Sequence, residues 1–343
     1  MSNEPLVCIC IPNYNNEATI SQTLDSVVNQ TYKNVIIKIF DNASTDNSMK
    51  ILNKYESRFN NIQVYQNKEN IGGEANFTKC IEGLEGDYGA IYHADDIYGV
   101  TMVETQVNYL SKNEISAVFV RANLIDDNGS SIGEQFFPEE LKSKSYHQFD
   151  FKQLFSLVLK YDNFLITPSV MAKVDIYKNN IKSFNGEKFK TSSDLDAWLR
   201  FSEIKDIGII TEKLISYRMS ISSYSYRGKY KRFLPTAMFL VMDFYLDKYS
   251  EIEFDNADFK YLKFYDNILL KTNKILNNYS VEPKEIRLFD WKILTKVFFD
   301  KRKFKIYLYS VLFKTLLVLR LKKVLLNIIR KVIKIPKDVL FYN

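Results

Sequence analysis

The sequence predicts an α/β protein: a mainly parallel mixed sheet flanked by helices, followed by a C-terminal helical extension. Over residues 1 to about 125, short aliphatic runs alternate with segments of helical spacing, as in βαβ units. From Lys231 onward the apolar spacing is helical for most of the remainder. Three of the aliphatic runs also end in polar clusters. In an open α/β sheet these ends share one edge, where ligands bind.

The first run, Leu6 to Ile11, enters Pro12-Asn-Tyr-Asn-Asn16. Glu17 to Gln30 has helical spacing through Ile20, Leu24, Val27 and Val28. A second strand, Val35 to Phe40, ends in Asp41-Asn-Ala-Ser-Thr-Asp46, and Asp46 or Asn47 caps the next helix. Ile62 to Tyr65 is a short strand. Asn70-Ile-Gly-Gly73 is a turn before a helix through Ala75 to Leu84. The third polar-ended strand, Tyr88 to Tyr92, runs into His93-Ala-Asp-Asp96. Val103 to Leu110 is helical and Ala117 to Leu124 extended. Asp126-Asp-Asn-Gly129 is a hairpin-type turn. Ser130 to Asp150, polar and aromatic, reads as a loop. Phe151 to Lys160 is helical, Phe164 to Val174 a strand interrupted by Pro168, Asp194 to Phe201 a helix, and Ile207 to Arg218 one or two strands. The expected domains are a ligand-binding and catalytic domain at 1–227, a helical extension at 228–300 and a basic tail at 301–343.

At 343 residues the chain buries a sizeable core. Its net charge of +6 belongs to the tail: Lys301 to Lys337 holds twelve Lys or Arg and no acid, leaving 35 basic against 41 acidic residues elsewhere. A basic, aliphatic tail points to an anionic membrane surface, and the acidic remainder argues against nucleic acid. Three cysteines make no disulfide framework. Cys8, Cys10 and Cys80 read as small buried hydrophobes in a reducing compartment. The polar N-terminus enters the first strand at once, with no secretory signal. No Cys-His cluster has zinc-site spacing, and no phosphate-loop or dinucleotide fingerprint is present.

Pro12-Asn-Tyr-Asn, Asp41-Asn-Ala-Ser-Thr-Asp, Asn70-Ile-Gly-Gly, His93-Ala-Asp-Asp, Ser193-Asp-Leu-Asp-Ala-Trp-Leu-Arg200 and Ser216-Tyr-Arg218 follow one another in an order and at spacings that resemble family 2 glycosyltransferases of the GT-A fold. The resemblance spans about residues 5 to 225. It implies an inverting, metal-dependent transfer from a UDP-sugar to a hydroxyl of a glycan or lipid-linked acceptor, in surface polysaccharide or oligosaccharide synthesis.

The resemblance implies that Asp95 and Asp96 hold Mn²⁺ or Mg²⁺ against the donor diphosphate, with Asp95 also on the nucleotide-sugar side. Adjacent carboxylates suit hard cations, although aspartates also serve turns by local hydrogen bonding. Many relatives carry an acid where His93 stands. Asp41 is implied in recognition of the base, commonly the N3–H of uracil, assisted by Asn42. Pro12, Asn13 and Tyr14 supply backbone and ring contacts to the uridine, Tyr14 being alternatively a packed turn aromatic, and Glu17 reaches ribose or base. Gly72 permits close backbone approach to the donor or serves a purely structural turn. Asp194 occupies the general base position, or is an N-terminal helix carboxylate favoured by the dipole. Asp196 points elsewhere on the helix, Trp198 is wall or core, and Arg200 is a salt-bridge partner. Ser220 stands where many relatives have histidine. Tyr224, Tyr226, Arg227 and Lys229 are candidates for a basic lid.

Within the tail, charges interrupt Ile306 to Ile335, short of the roughly 18–20 apolar residues of a spanning helix. On a helical wheel Arg320, Lys323, Arg330, Lys331 and Lys334 gather opposite Leu321, Leu325, Ile328, Ile329 and Val332, the pattern of an in-plane interfacial helix. The alternative is a helix packed on the enzyme or another subunit. The expected location is cytoplasmic, peripheral on the inner face of the membrane, with residues 231 to 300 shaping the acceptor side or a homo-oligomer contact. Two other functions compete. One is a sugar-nucleotide pyrophosphorylase-like enzyme, disfavoured because Pro12 to Asn16 is no glycine- and arginine-rich loop. The other is an inactive donor-binding or membrane-scaffolding protein, disfavoured by the retained Asp95, Asp96 and Asp194.

Overall fold

The computed structural model describes residues 4–219, 234–277, 279–286, 298, 300–321, 324–325 and 327–328. The chain divides into two compact units: Met1–Val158 with Asn163–Met219, and Leu159–Asp162 with Ser220–Asn343. The expected boundary at residue 227 and the expected lid residues Tyr224, Tyr226, Arg227 and Lys229, like Ser220, lie outside the described residues.

The first unit begins β1 (Val7–Asn13), α1 (Ile20–Val28), β2 (Val35–Asp41), α2 (Ser48–Arg58), β3 (Ile62–Gln66), α3 (Gly73–Gly83) and β4 (Tyr88–Ile91). It continues with β5 (Ile97–Tyr98), α4 (Met102–Lys112), β6 (Ala117–Ile125), β7 (Ser131–Glu134), β8 (Tyr146–Phe149), α5 (Phe151–Tyr161, its end from Leu159 counted with the second unit), β9 (Met171–Lys173), α6 (Ser193–Ile204) and β10 (Ile207–Arg218). Among the described residues the strands form one sheet in the order β3-β2-β1-β4-β9-β6-β10-β5, with β7 on β6 and β8 on β10. The pairs β3-β2, β2-β1, β1-β4 and β6-β10 are parallel; β9 runs antiparallel to both β4 and β6. The mixed, helix-flanked sheet is the predicted class.

The aliphatic strands are legible because they are buried on both faces. Val7 to Ile11 is inaccessible to solvent. Against it pack Ile20, Leu24 and Val27 of α1 and Leu52 of α2, each contributing about 1.5–3 kcal/mol relative to exposure. All three cysteines are free and buried, and burial pushes the Cys80 thiol well up.

Three expectations change. The stretch 130–150 contains two strands: β7 is wholly exposed, so no apolar alternation marks it, and β8 pairs with Ile207 to Ile210. The strand expected over 164–174 shrinks to Met171–Lys173, because Pro168 has no N–H for a ladder and opens a 3₁₀ turn at Thr167–Ser169. Helix α1 starts at Ile20, since the N–H groups of Thr19 and Ile20 both turn back to the Asn16 carbonyl.

The second unit contains α7 (Met238–Lys248), α8 (Ala257–Leu276) and α9 (Lys301–Val318). Its core joins Phe264, Ile268, Ile275, Ile286, Phe313, Leu316 and Leu325, with Ile328 packed against it. Lys303 pairs with Asp258. The tail differs from a single wheel. Helix α9 ends at Val318, Arg320 takes a left-handed φ of 56°, and Leu325 is fully buried. Leu325 and Ile328, expected on a lipid face, serve the core instead. The exposed aliphatics are Leu308, Leu312, Val318, Leu319, Leu321 and Val324. Lys323, Ile329, Arg330, Lys331, Val332 and Lys334 lie outside the described residues. Among the described residues no helix is long and apolar enough to cross a membrane.

Candidate active site

The parallel register sets Asn13 beside Asp41 at the carboxyl ends of β1 and β2. Both are buried, so the carboxylate must find donors inside the protein. Asp41 Oδ1 accepts from Asn13 Nδ2 at 2.8 Å and Ser44 Oγ at 2.5 Å; Oδ2 accepts from the Ser44 N–H at 3.0 Å. The loops after these strands are stitched together. Asn15 and Ala43 both have positive φ, and Asn15 Oδ1 accepts from the Thr45 N–H at 2.8 Å. Asn42 Oδ1 accepts from the Ile71 N–H at 3.0 Å and its Nδ2 donates to Asn70 Oδ1 at 2.9 Å, fixing the loop before α3. In that loop Gly72 has φ 86° and opens on space where a Cβ would touch nothing. The turn from β1 to α1 therefore lies against the Asp41 to Asp46 turn, with half-buried Pro12 and exposed Tyr14 at its tip.

Exposed Glu17 is tied to the turn before α2. Its Oε2 accepts from the Asn47 N–H and Nδ2, both at 2.8 Å, while the Glu17 N–H donates to Asp46 Oδ2 at 3.0 Å. Asp46 Oδ1 also receives the Ser48 N–H at 2.9 Å. Partial burial raises the Asp46 carboxyl, but these hydrogen bonds outweigh it and hold the group below its ordinary value.

The turn after β4 carries the acidic cluster. One ligand atom each from His93, Asp95 and Asp96 lies within 4.8 Å of the others. Asp96 is fully buried. Its Oδ1 accepts the Arg218 N–H at 2.8 Å, whereas its Oδ2 faces His93 Nδ1 at 3.7 Å and has no hydrogen-bond partner among the described residues. His93 Nε2 is also buried and unpartnered. Burial, then repulsion from Asp95, pushes the Asp96 carboxyl well above the usual range; burial pushes the His93 imidazole down, opposed by Asp95. Buried polar atoms without partners are rare. An orphaned carboxylate oxygen and imidazole nitrogen beside a second carboxylate form a donor set that suits a divalent cation.

This turn is braced from three sides. Thr23 Oγ1 of α1 donates to the Asp96 carbonyl at 2.8 Å. The Tyr98 hydroxyl accepts the His93 N–H at 2.7 Å and lies 3.2 Å from the His93 carbonyl. Arg218, ending β10 and 4% exposed, donates Nε to the Asp95 carbonyl, one terminal nitrogen to the Asp126 and Asp127 carbonyls, and the other to Gln22 Oε1, at 2.8–3.0 Å.

Asp194 sits in the first turn of α6. Its Oδ2 accepts from Thr167 Oγ1 and its Oδ1 from the Leu195 N–H, both at 2.7 Å. Burial raises its carboxyl despite these bonds, so it holds a proton more readily than an ordinary aspartate. The Thr167 turn packs on β4 and β6. A chain of edge-on rings links α6 to the acidic turn: Trp198 to Phe184 at 6.0 Å, Phe184 to Phe77 at 5.7 Å and Phe77 to His93 at 5.6 Å. Asp196 is spent elsewhere, accepting from Arg200 Nε at 2.9 Å and Asn185 Nδ2 at 2.8 Å.

The structure thus brings Asn13, Asp41, Asn42 and Gly72 into one bonded group, and Asp95 and Asp96 into another on the neighbouring strand end. Asp194 is bonded to Thr167, whose turn packs on β4, and the helix that carries Asp194 reaches His93 through the ring chain from Trp198. Tyr14 stands exposed and Glu17 serves the Asn47 turn. Sequence reasoning assigned no role to Arg218, Gln22, Thr167 or Tyr98. The arginine of Ser216-Tyr-Arg218, ending an apolar run, is the one visible signal; the others make contacts no local pattern encodes.

The family model described as Glycosyl transferase family 2 matches residues 8–172. The chain is 26% identical over 205 residues to EpsE of Bacillus subtilis, covering 59% of this chain and 69% of EpsE. It is 31% identical over 137 residues to the UDP-Glc:alpha-D-GlcNAc-diphosphoundecaprenol beta-1,3-glucosyltransferase WfgD of Escherichia coli, covering 40% of this chain and 53% of WfgD. The crystal structure of S. aureus TarS 1-349 in complex with UDP superposes with a TM-score of 0.55 at 16% identity, covering 81% of this chain and 77% of that one. That likeness shows the fold.

Proposed function

Through residues 8–172 this chain belongs to glycosyl transferase family 2, and we propose that it moves a sugar from a UDP-sugar to a hydroxyl of a glycan or lipid-linked acceptor, with inversion, in surface polysaccharide or oligosaccharide synthesis. The observation that carries the reading is the acidic turn at the sheet's carboxyl edge, where Asp96 keeps a buried, unpartnered oxygen beside Asp95. The UDP complex of TarS and the donor and acceptor in the name of WfgD support the choice of ligand class.

In this reading the uracil N3–H donates to Asp41, whose carboxylate is already oriented by Asn13 and Ser44. Pro12, Tyr14 and Asn42 line the uridine, and the open face of Gly72 admits the donor. Asp95 and Asp96 would hold Mn²⁺ or Mg²⁺, which would supply positive charge against the departing diphosphate. Arg218 and Thr23 keep that turn in place. Asp194 removes the acceptor proton as the acceptor oxygen bonds to the anomeric carbon and the bond from that carbon to the β-phosphate oxygen breaks, releasing UDP. Its burial suits a base that must take a proton.

A membrane role for the second unit is supported by exposed Leu308, Leu312 and Leu319 on a segment rich in Lys and Arg. That combination attracts an anionic leaflet and places a cytoplasmic enzyme beside a lipid-linked acceptor.

The test is Mn²⁺-dependent hydrolysis of a panel of UDP-sugars. A competent donor is turned over by wild type, and Asp194→Asn lowers the rate by about 10²–10⁴-fold. Equal rates in wild type and variant remove Asp194 as the base.

A further inference from the structure

We propose that His93 is a third ligand of the metal held by Asp95 and Asp96, and that it selects an ion of the Mn²⁺ class over Mg²⁺. The inference rests on the reading of the acidic turn as a metal site and goes beyond it by assigning the ion.

His93 meets the requirements of a ligand on position alone. It shares a 4.8 Å cluster with both carboxylates. Its Nδ1 faces Oδ2 of Asp96 at 3.7 Å and its Nε2 is buried, and among the described residues neither nitrogen is committed to a protein hydrogen bond. The residue is also held. The Tyr98 hydroxyl meets its N–H and its carbonyl, and Phe77 packs edge-on against the imidazole at 5.6 Å. A ring this constrained stays where the carboxylates are. The chain has one other histidine, His147, whose Nε2 lies 2.7 Å from the Leu141 carbonyl.

The consequence follows from ligand chemistry. Mg²⁺ prefers hard oxygen donors in near-ideal octahedral geometry and gives up its waters reluctantly. Imidazole suits first-row transition ions. Beside two carboxylates, His93 offers a neutral nitrogen donor where a third carboxylate would offer a negative charge and an oxygen. Mg²⁺ loses attraction with nothing in return, whereas Mn²⁺ gains a nitrogen bond. The ion preference of this site is then set by a side chain that contacts the metal and not the sugar.

The experiment uses the full chain with Mn²⁺ and UDP, read by electron spin-echo spectroscopy and by competition with Mg²⁺. The expected spectrum shows a nitrogen coupling on bound Mn²⁺ that changes on heavy-nitrogen labelling of histidine. The coupling disappears in His93→Asp, and the Mn²⁺-over-Mg²⁺ preference falls by about tenfold or more, the scale of changes around metal ligands. Bound Mn²⁺ with no histidine coupling in the wild type overturns the role of His93 and leaves the metal site standing. Failure of Mn²⁺ to bind with UDP at all overturns both. The wild-type spectrum decides the matter even where the variant folds poorly.

Discussion

The backbone N–H of Arg218 donates to Asp96 Oδ1 at 2.8 Å across 122 positions of sequence. Arg218, the last residue of β10, thus holds one oxygen of the buried carboxylate, and among the described residues the other has no hydrogen-bond partner. The Arg218 side chain extends the same function, bridging the Asp95 carbonyl, the Asp126 turn and Gln22 of α1.

Arg218→Ala removes that bridge while keeping the backbone donor. It leaves the carbonyls of Asp95, Asp126 and Asp127 short of a donor in a buried setting, with an expected loss of about 3 kcal/mol. Urea unfolding should show a lower midpoint at unchanged slope, and UDP affinity in Mn²⁺ should fall with it. Unchanged UDP affinity would mean the acidic turn holds its shape without the guanidinium.

Thr167 tunes Asp194. Burial raises the Asp194 carboxyl and the Thr167 hydrogen bond partly offsets this. The base proposed here works ionised, so turnover should rise with pH through the Asp194 titration. Thr167→Val should move the acid limb of the rate profile to higher pH, and Thr167→Ser should restore it. Stability has the opposite sense. A carboxyl raised in the folded state contributes stability present below its unfolded pKa and lost as pH rises through the folded one. Asp194→Asn should therefore be more stable than wild type at neutral pH, with the gain vanishing in acid. A limb that does not move in Thr167→Val separates the hydroxyl from the base.

The sequence shows strands where burial is two-sided. β1, β2 and β4 read as aliphatic runs because both faces are covered, and their polar ends mark the edge proposed to bind the donor. β7 escapes notice because every residue of it is exposed. The Thr167 turn is hidden inside an apolar segment whose Pro168 breaks the ladder. Arg218 is visible as a residue but not as a brace, since its partners come from three remote turns. The tail misleads for a related reason: a wheel assumes an unbroken helix, and the left-handed Arg320 interrupts it, sending Leu325 into the core.

That packing changes how membrane binding is tested. Deleting the tail would remove Phe313, Leu316 and Leu325 from the core of the second unit. Replacing exposed Leu308, Leu312 and Leu319 with Gln leaves the core intact. The triple variant should fail to float with anionic vesicles while activity on a soluble acceptor is kept. A variant that still floats shows that this face is not the anchor.

The central claim is that Asp96, buried with one free oxygen, completes a metal site for a nucleoside diphosphate. Calorimetric titration of UDP with and without Mn²⁺, on wild type and Asp96→Asn, addresses it most directly. The account predicts that Mn²⁺ strengthens UDP binding in wild type and has no effect in the variant. The same UDP affinity in wild type with and without Mn²⁺ would contradict it.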